Sequence, residues 1–158
     1  MLSGIRIGVS WEIMDNRDGL PLIKNRVKRV LWENMGYCPH NGRYTEEGRE
    51  GGQVEFHNSG ARIKIDCCGS RYGKSLEAAH DVDDLILREG SRGWIVGPTY
   101  GLGEKEFRYI WDGWITKMHM DTATARYDIH GGDMRIKFKW GAEVEVKSWD
   151  NEKSLLGE

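Results

Sequence analysis

The sequence predicts an α/β fold in which parallel strands are followed by an antiparallel β segment near the carboxyl end. Alternating side chains at residues 61–68 and an apolar run at residues 93–98 flank a stretch of helical periodicity, which gives the order strand, helix, strand. Residues 126–148 then alternate apolar and polar side chains around glycine turns, as antiparallel strands do. With 158 residues, 39% of them hydrophobic, the chain can bury a core of common domain size.

Residues 1–52 are predicted to form an amino-terminal arm, a helix and a loop. Apolar side chains alternate over residues 5–11, and the period becomes helical between Pro21 and Met35, before a capping Gly36. Residues 36–60 are rich in glycine and charge, which favours a loop. The predicted buried stripe of the helix is Leu22, Ile23, Val27, Val30 and Leu31, and its predicted basic face is Lys24, Arg26, Lys28 and Arg29. Such a face contacts phosphates in some proteins and is only solvated in others.

The most informative motif is a P-loop, whose consensus is G-x-x-x-x-G-K-[ST]. Here Cys68 replaces the first glycine, with Gly69 one place later, and Gly73-Lys74-Ser75 completes the motif. Glycine lets backbone N–H groups point inward around a triphosphate at the start of a helix. The lysine would contact the β- and γ-phosphates, and the serine hydroxyl would hold Mg²⁺.

The flanking residues agree with this interpretation of the motif. Ile63 and Ile65 alternate with polar side chains and predict a strand over residues 61–68, and a helical stripe follows the serine before a capping Gly90. The alternative is that Gly69 and Gly73 serve only a tight strand-to-helix turn, with Lys74 in solvent. The helical stripe predicted after Ser75 consists of Leu76, Ala79, Val82, Leu85 and Ile86.

The second half of the chain adds a buried strand, a helix and antiparallel strands. Trp94, Ile95 and Val96 form a continuous apolar run, which predicts a parallel strand covered on both faces. Residues 103–118 are predicted to be helical, with a stripe that we assign to the core rather than to base stacking. Its members are Phe107, Ile110, Trp111, Trp114 and Ile115.

Composition limits the other possibilities. The net charge is -2, so any surface for nucleic acid must be a local one. The three cysteines, Cys38, Cys67 and Cys68, fit neither a zinc site nor a disulfide framework and predict a reduced protein. The five histidines show no metal-ligand spacing, and no apolar stretch has the length of a membrane span.

Four segments, in order, resemble the large terminase subunit of tailed bacteriophages, the ATP-driven motor that packages DNA into a procapsid. Gln53-Val54-Glu55-Phe56-His57 is similar to the family's glutamine motif, and residues 67–75 (CCGSRYGKS) are similar to its Walker A motif. Residues 94–100 (WIVGPTY) resemble its W-x-V-x-P-T-Y strand and turn. Residues 141–148 and 154–157 resemble the stretch before its Walker B motif.

The resemblance implies an ASCE-type P-loop NTPase core over residues 53–158, with ATP and Mg²⁺ as cofactors and ATP hydrolysis driving DNA translocation. Gln53 is implied as an adenine contact, Lys74 and Arg71 as catalytic residues, and Ser75 as the Mg²⁺ ligand. The implied nucleotide contacts of the loop are Gly69, Ser70, Arg71, Tyr72, Gly73, Lys74 and Ser75.

The resemblance also implies partners and a location. The partners are double-stranded DNA, a portal protein, a small terminase subunit and further copies in a homo-oligomeric ring, with no membrane. The location is the host cytoplasm, with transient attachment to the procapsid. The candidate DNA contacts are the basic residues Lys24, Arg26, Lys28 and Arg29.

Two departures from the family pattern matter. Ser70 stands where the family has its arginine, and Arg71, one residue later, is the candidate substitute. An apolar run ending in Asp-Glu, the Walker B strand, is absent up to Glu158, as is a nuclease domain. We therefore expect this chain alone to bind ATP and to be inactive in turnover. The alternatives are a nucleotide-binding or assembly fragment without turnover and another P-loop NTPase, such as a small kinase.

Overall fold

The computed structural model describes residues 19–45, 48–50, 52–151 and 155, and the arm predicted over residues 5–11 lies outside this part. The helices are α1 (Arg26–Met35), α2 (Gln53–Asn58), α3 (Lys74–Asp81), α4 (Asp83–Ile86) and α5 (Tyr100–Trp111), which continues as a π-helical segment, Asp112–Lys117. A 3₁₀ turn covers Leu20–Leu22. The strands are β1 (Arg43–Thr45), β2 (Gly48–Glu50), β3 (Arg92–Gly97), β4 (Thr122–Asp128), β5 (Asp133–Phe138) and β6 (Glu143–Ser148).

A four-stranded mixed sheet in the order β3-β6-β5-β4 organises the fold. β3 pairs in parallel with β6, from Arg92 opposite Glu143 to Gly97 opposite Ser148. β5 is antiparallel to both β4 and β6. The α/β class and the antiparallel segment predicted over residues 126–148 are confirmed. Strands β1 and β2 form a separate antiparallel pair within the stretch that was predicted to be a loop.

The strand predicted over residues 61–68 is not formed, and this prediction was wrong. The segment belongs to no sheet, and β3 takes β6 as its parallel partner instead. Ile63 and Ile65 are 78% and 81% exposed, while Lys64 between them donates a hydrogen bond to Asp81. Alternating side chains predict an extended backbone, but a strand also needs a hydrogen-bonding neighbour, which this segment lacks among the described residues.

The core lies between α5 and one face of the sheet. Phe107, Ile110 and Trp114 are buried, which confirms the core stripe predicted for this helix. They meet the inward side chains of β5 and β6, which are Met134, Ile136, Phe138, Val144 and Val146. β3 alternates instead of being buried on both faces as predicted, because its Trp94 and Val96 side chains are exposed on the face away from α5.

Helix α1 begins later and buries a different stripe than predicted. Asn25 caps it by accepting hydrogen bonds from the N–H groups of Val27 and Lys28 at 2.9 and 3.2 Å, and Gly36 ends it with φ 66°. The buried stripe is Lys28, Leu31, Trp32 and Met35, whereas Val27 and Val30 are exposed. Trp32 and Met35 share a helix face with Lys28 and Leu31, and this face packs into the core, so Val27 and Val30 are left on the opposite side.

A buried carboxylate joins three elements beneath the P-loop helix. Asp83 accepts hydrogen bonds from the indole N–H groups of Trp32 at 2.6 Å and Trp114 at 2.8 Å, and it lies 3.0 Å from His80. The helical stripe predicted after Ser75 is therefore divided at Val82 into α3 and α4, with Asp83 turned inward. Buried charges need such donors.

No described helix is long and apolar enough to cross a membrane.

Candidate functional site

The loop that leads into α3 has two residues in the left-handed backbone region. Arg71 has φ 65° and Gly73 has φ 97°, and α3 begins at the next residue, Lys74. Glycine adopts this conformation without strain, whereas arginine does so at a cost. A Cβ at Gly73 would also come within 3.0 Å of the Gln53 side chain. Both backbone angle and space therefore favour glycine at position 73.

Lys74 lies against the loop itself. Its ammonium donates hydrogen bonds to the backbone carbonyls of Cys68 at 2.9 Å and Gly69 at 2.7 Å. A lysine so placed brings a positive charge to the concave side of the turn and holds the two ends of the loop together. The Lys74 side chain therefore folds back onto the loop and does not extend into solvent, as the alternative interpretation of the motif expected.

The amino end of α3 carries no side-chain cap. The first backbone N–H groups of any helix lack partners within the helix, and the helix dipole makes this end favourable for anions. Ser75 is the second residue of α3 and is half-buried. An uncapped helix end, a lysine and a hydroxyl therefore lie within three residues of one another.

Gln53 contacts the same loop from the side. It is the first residue of α2 and is only 2% exposed. Its Nε2 donates to the carbonyls of Tyr72 and Gly73 at 3.5 and 3.4 Å, and its Oε1 accepts from the His40 N–H at 2.9 Å. The two sequence segments that contain the glutamine and the P-loop are thus brought into direct contact.

A cavity of about 1000 Å³ opens beside the loop. Its wall includes residues 63–72, the Glu55 and Phe56 side of α2, and Glu77 of α3. The volume falls within the range of small-molecule sites. Arg71 is exposed and lines this cavity, as do Gly69, Ser70 and Tyr72.

Two acidic residues that sequence analysis did not single out, Asp66 and Glu77, lie at this cavity. Glu77 is 2% exposed, and its Oε2 has no hydrogen-bond partner among the described residues. Burial, together with the neighbouring Asp66 carboxylate, raises the pKa of Glu77 to about 7. The available signal was spacing, since Glu77 follows Lys74 by three residues and so shares its helix face.

The residues of the predicted basic face of α1 do not all lie at the surface. Lys28 is 3% exposed and forms ion pairs with Asp84 at 3.0 Å and Asp81 at 3.7 Å, so its assignment to the solvent face was wrong. Lys24 and Arg26 are exposed, and Arg29 is half-buried. The physical reason is that position 28 falls on the stripe that packs toward α3, where acidic partners satisfy its charge.

Histidines in this region have structural contacts. His57 of α2 lies 2.8 Å from the Tyr37 hydroxyl and 3.2 Å from Asp81, and burial lowers its pKa despite the opposing effect of Asp81. In the part of the chain that the structure describes, no three His, Cys, Asp or Glu side chains are grouped to hold a metal ion.

The mixed sheet and the glycine loop that opens onto α3 have the architecture of a P-loop NTPase. The solved ATPase domain of the large terminase of Thermus phage P74-26 superposes with a TM-score of 0.57 and 26% identity, covering 78% of this chain and 51% of that one. The fold predicted from the sequence is therefore confirmed.

Sequence comparison leads to the same class of phage protein. The chain is 36% identical over 75 residues to the terminase large subunits of Thermus phage G20c and Thermus virus P23-45, a match that covers 47% of this chain and 13% of each relative. No protein-family model matches the chain. The resemblance to terminase large subunits is confirmed, and the matched part is a small fraction of those proteins.

Proposed function

We propose that this chain is the nucleotide-binding part of a phage DNA-packaging ATPase of the terminase large-subunit type. The observation that carries the proposal is the contact of Lys74 with the Cys68 and Gly69 carbonyls, at 2.9 and 2.7 Å, at the uncapped start of α3. The similarity of the chain to terminase large subunits supports ATP as the nucleotide and double-stranded DNA as the translocated substrate.

The triphosphate would bind where the loop, the α3 amino end and the cavity meet. Lys74 would exchange its two carbonyl hydrogen bonds for the β- and γ-phosphates, since phosphate oxygens are charged and backbone carbonyls are neutral. Arg71 lines the same cavity and is the loop's candidate for stabilising charge on the transferred phosphoryl group. The backbone N–H groups at the start of α3 would complete the anion site.

Ser75 would hold Mg²⁺, which would neutralise charge on the phosphates. Mg²⁺ commonly takes one or two protein oxygens and completes its shell with phosphate and water. A hydroxyl at the second position of α3 fits that requirement. The partners proposed for the working motor are a portal protein, a small terminase subunit and further copies of the chain in a ring.

Calorimetric titration with Mg-ATP tests the proposal. Lys74→Ala should weaken binding by about 30- to 150-fold, which corresponds to about 2–3 kcal/mol for hydrogen bonds to a charged group. Lys105→Ala is the matched control, because it removes the same charge from an exposed position of α5, outside the loop and α3. Equal affinity of the Lys74 variant and the unsubstituted chain would contradict the assignment.

A further inference from the structure

We propose that Asp81 is a positioning residue for nucleotide binding, because it joins the three segments that wall the cavity beside the P-loop. These segments are α2, residues 63–72 and α3. Asp81 is the last residue of α3 and lies at the opposite end from Lys74, about 10 Å away along the helix axis. The inference rests on the proposed function and concerns how the part of the cavity that takes the nucleoside keeps its shape.

The carboxylate of Asp81 contacts both of the other walls. Lys64, which belongs to residues 63–72, donates hydrogen bonds to Oδ1 at 2.9 Å and to Oδ2 at 3.0 Å. The Nδ1 atom of His57, in α2, lies 3.2 Å from Oδ1. The Lys64 ammonium is also 4.9 Å from the ring centre of Phe56 in α2. One side chain of α3 therefore joins one residue from each of the other two walls.

The surroundings of Asp81 keep it ionised and in place. Burial by itself would raise the pKa of this carboxyl group, but hydrogen bonds from His57 and Lys64 hold the pKa of Asp81 below its usual range. The Nε2 atom of His57 lies 2.8 Å from the Tyr37 hydroxyl. A neutral His57 ring can therefore accept from Tyr37 and donate from Nδ1 to Asp81. Hydrogen bonds to a charged acceptor are stronger than those between neutral groups.

The contacts of Asp81 hold the walls that the nucleoside would meet. With its triphosphate at Lys74 and the amino end of α3, a nucleotide would extend into the cavity, against residues 63–66 and the Phe56 side of α2. Lys74 is held separately, by its hydrogen bonds to the Cys68 and Gly69 carbonyls. Loss of the Asp81 carboxylate should therefore disturb the nucleoside part of the site more than the phosphate part.

Calorimetric titration with Mg-ATP and with Mg-tripolyphosphate separates these two parts, because tripolyphosphate lacks a nucleoside. We expect Asp81→Ala to weaken binding of Mg-ATP by about tenfold and of Mg-tripolyphosphate by less than about twofold, since the lost hydrogen bonds hold the walls around the nucleoside. Asp81→Asn keeps one acceptor oxygen and should recover part of the loss. An equal loss for both ligands, or no loss for either, would overturn the inference.

The matched control is Asp84→Ala. It removes the same charge and an ion pair with Lys28 at 3.0 Å, as Asp81→Ala removes one with Lys28 at 3.7 Å. The ratio of the two affinities should stay as it is in the unsubstituted chain. A selective loss of Mg-ATP binding in Asp84→Ala would show that charge alone is responsible and would contradict the role of Asp81.

A second variant tests the same contact in case Asp81→Ala does not fold. His57→Phe keeps a ring beside Trp32 but removes the hydrogen bond to Asp81. It leaves the net charge unaltered at neutral pH, because burial lowers the pKa of His57. We expect selective weakening of Mg-ATP, and an unaltered ratio would contradict the inference. If the unsubstituted chain bound neither ligand, the proposed function would fail together with the inference, whereas binding of both with one ratio in all variants would overturn the inference alone.

Discussion

At the scale of single residues, the surroundings of Glu77 are the most unusual near the loop. The side chain is buried, one of its oxygens has no partner among the described residues, and Asp66 lies beside it. Two carboxyl groups this close share a proton more readily than they both ionise. Protonation of Glu77 is therefore favoured by the folded state itself.

The stability of the chain should depend on this proton. Folding raises the pKa of Glu77 from 4.5 to about 7, so the folded state binds the proton more tightly than the unfolded state. Its contribution to the free energy of unfolding is full below about pH 4.5 and is lost as the pH rises through about 7. We expect Glu77→Gln to remove this part of the pH dependence.

Urea unfolding at a series of pH values measures this effect. The control is Glu89→Gln, which changes an exposed carboxyl and should leave the slope of stability against pH as it is. Parallel curves for the unsubstituted chain and Glu77→Gln would show that Glu77 ionises normally in the folded state.

At the scale of secondary-structure elements, α5 lies very close to the sheet near its amino end. Gly103 is buried where the helix crosses β3 and β6, and a Cβ there would come within 2.8 Å of Val146 and 3.5 Å of Ile95. Gly101, one half-turn earlier on the same helix, has open space around it. The two glycines therefore serve different purposes, although the sequence spaces them only two residues apart.

Alanine substitutions should separate these two positions. Gly101→Ala is expected to stabilise the chain by about 0.4–1 kcal/mol, because alanine restricts the unfolded backbone and nothing opposes its methyl group. Gly103→Ala is expected to destabilise it by about 1–3 kcal/mol, since a stiff, buried valine must move. Chemical denaturation of both variants checks the pair, and a stabilising Gly103→Ala would show that α5 sits farther from the sheet.

For the chain as a whole, the small net charge means that any binding of DNA must come from local basic surfaces. The chain carries a net charge of -2, and the burial of Lys28 reduces the candidate basic face to Lys24, Arg26 and Arg29. A translocating motor should hold DNA through its phosphates, because it must accept any sequence. Such binding weakens with salt in proportion to the phosphates contacted.

Neutralising these three residues together tests the proposed DNA surface. The alanine triple variant should lower the slope of log K against log salt by about 2–3, as the loss of three phosphate contacts predicts. The comparison is the triple variant of Lys105, Lys137 and Lys139, three exposed lysines outside α1. Fluorescence anisotropy with double-stranded DNA between about 50 and 200 mM salt measures both slopes. Identical slopes would mean that the α1 residues are only solvated.

Features that depend on near neighbours in the chain could be predicted from the amino-acid residues alone. The P-loop could be predicted because its glycines, lysine and serine set local backbone and chemistry within eight residues. The stripe of α5 and the strands of residues 126–148 could be predicted for a similar reason, since side-chain period follows directly from helix or strand geometry. The resemblance of four ordered segments to terminase large subunits added the class of protein.

Contacts between distant segments could not be predicted in the same way. Residues 61–68 alternate like a strand, yet β3 pairs with β6, some fifty residues away, and the isoleucines face outward. Lys28 lies on a basic run, but acidic residues of the P-loop helix region hold it in the interior. Gln53 meets the loop through hydrogen bonds that span about twenty residues. Pairing, burial and hydrogen bonding between remote segments depend on three-dimensional packing, which local periodicity does not encode.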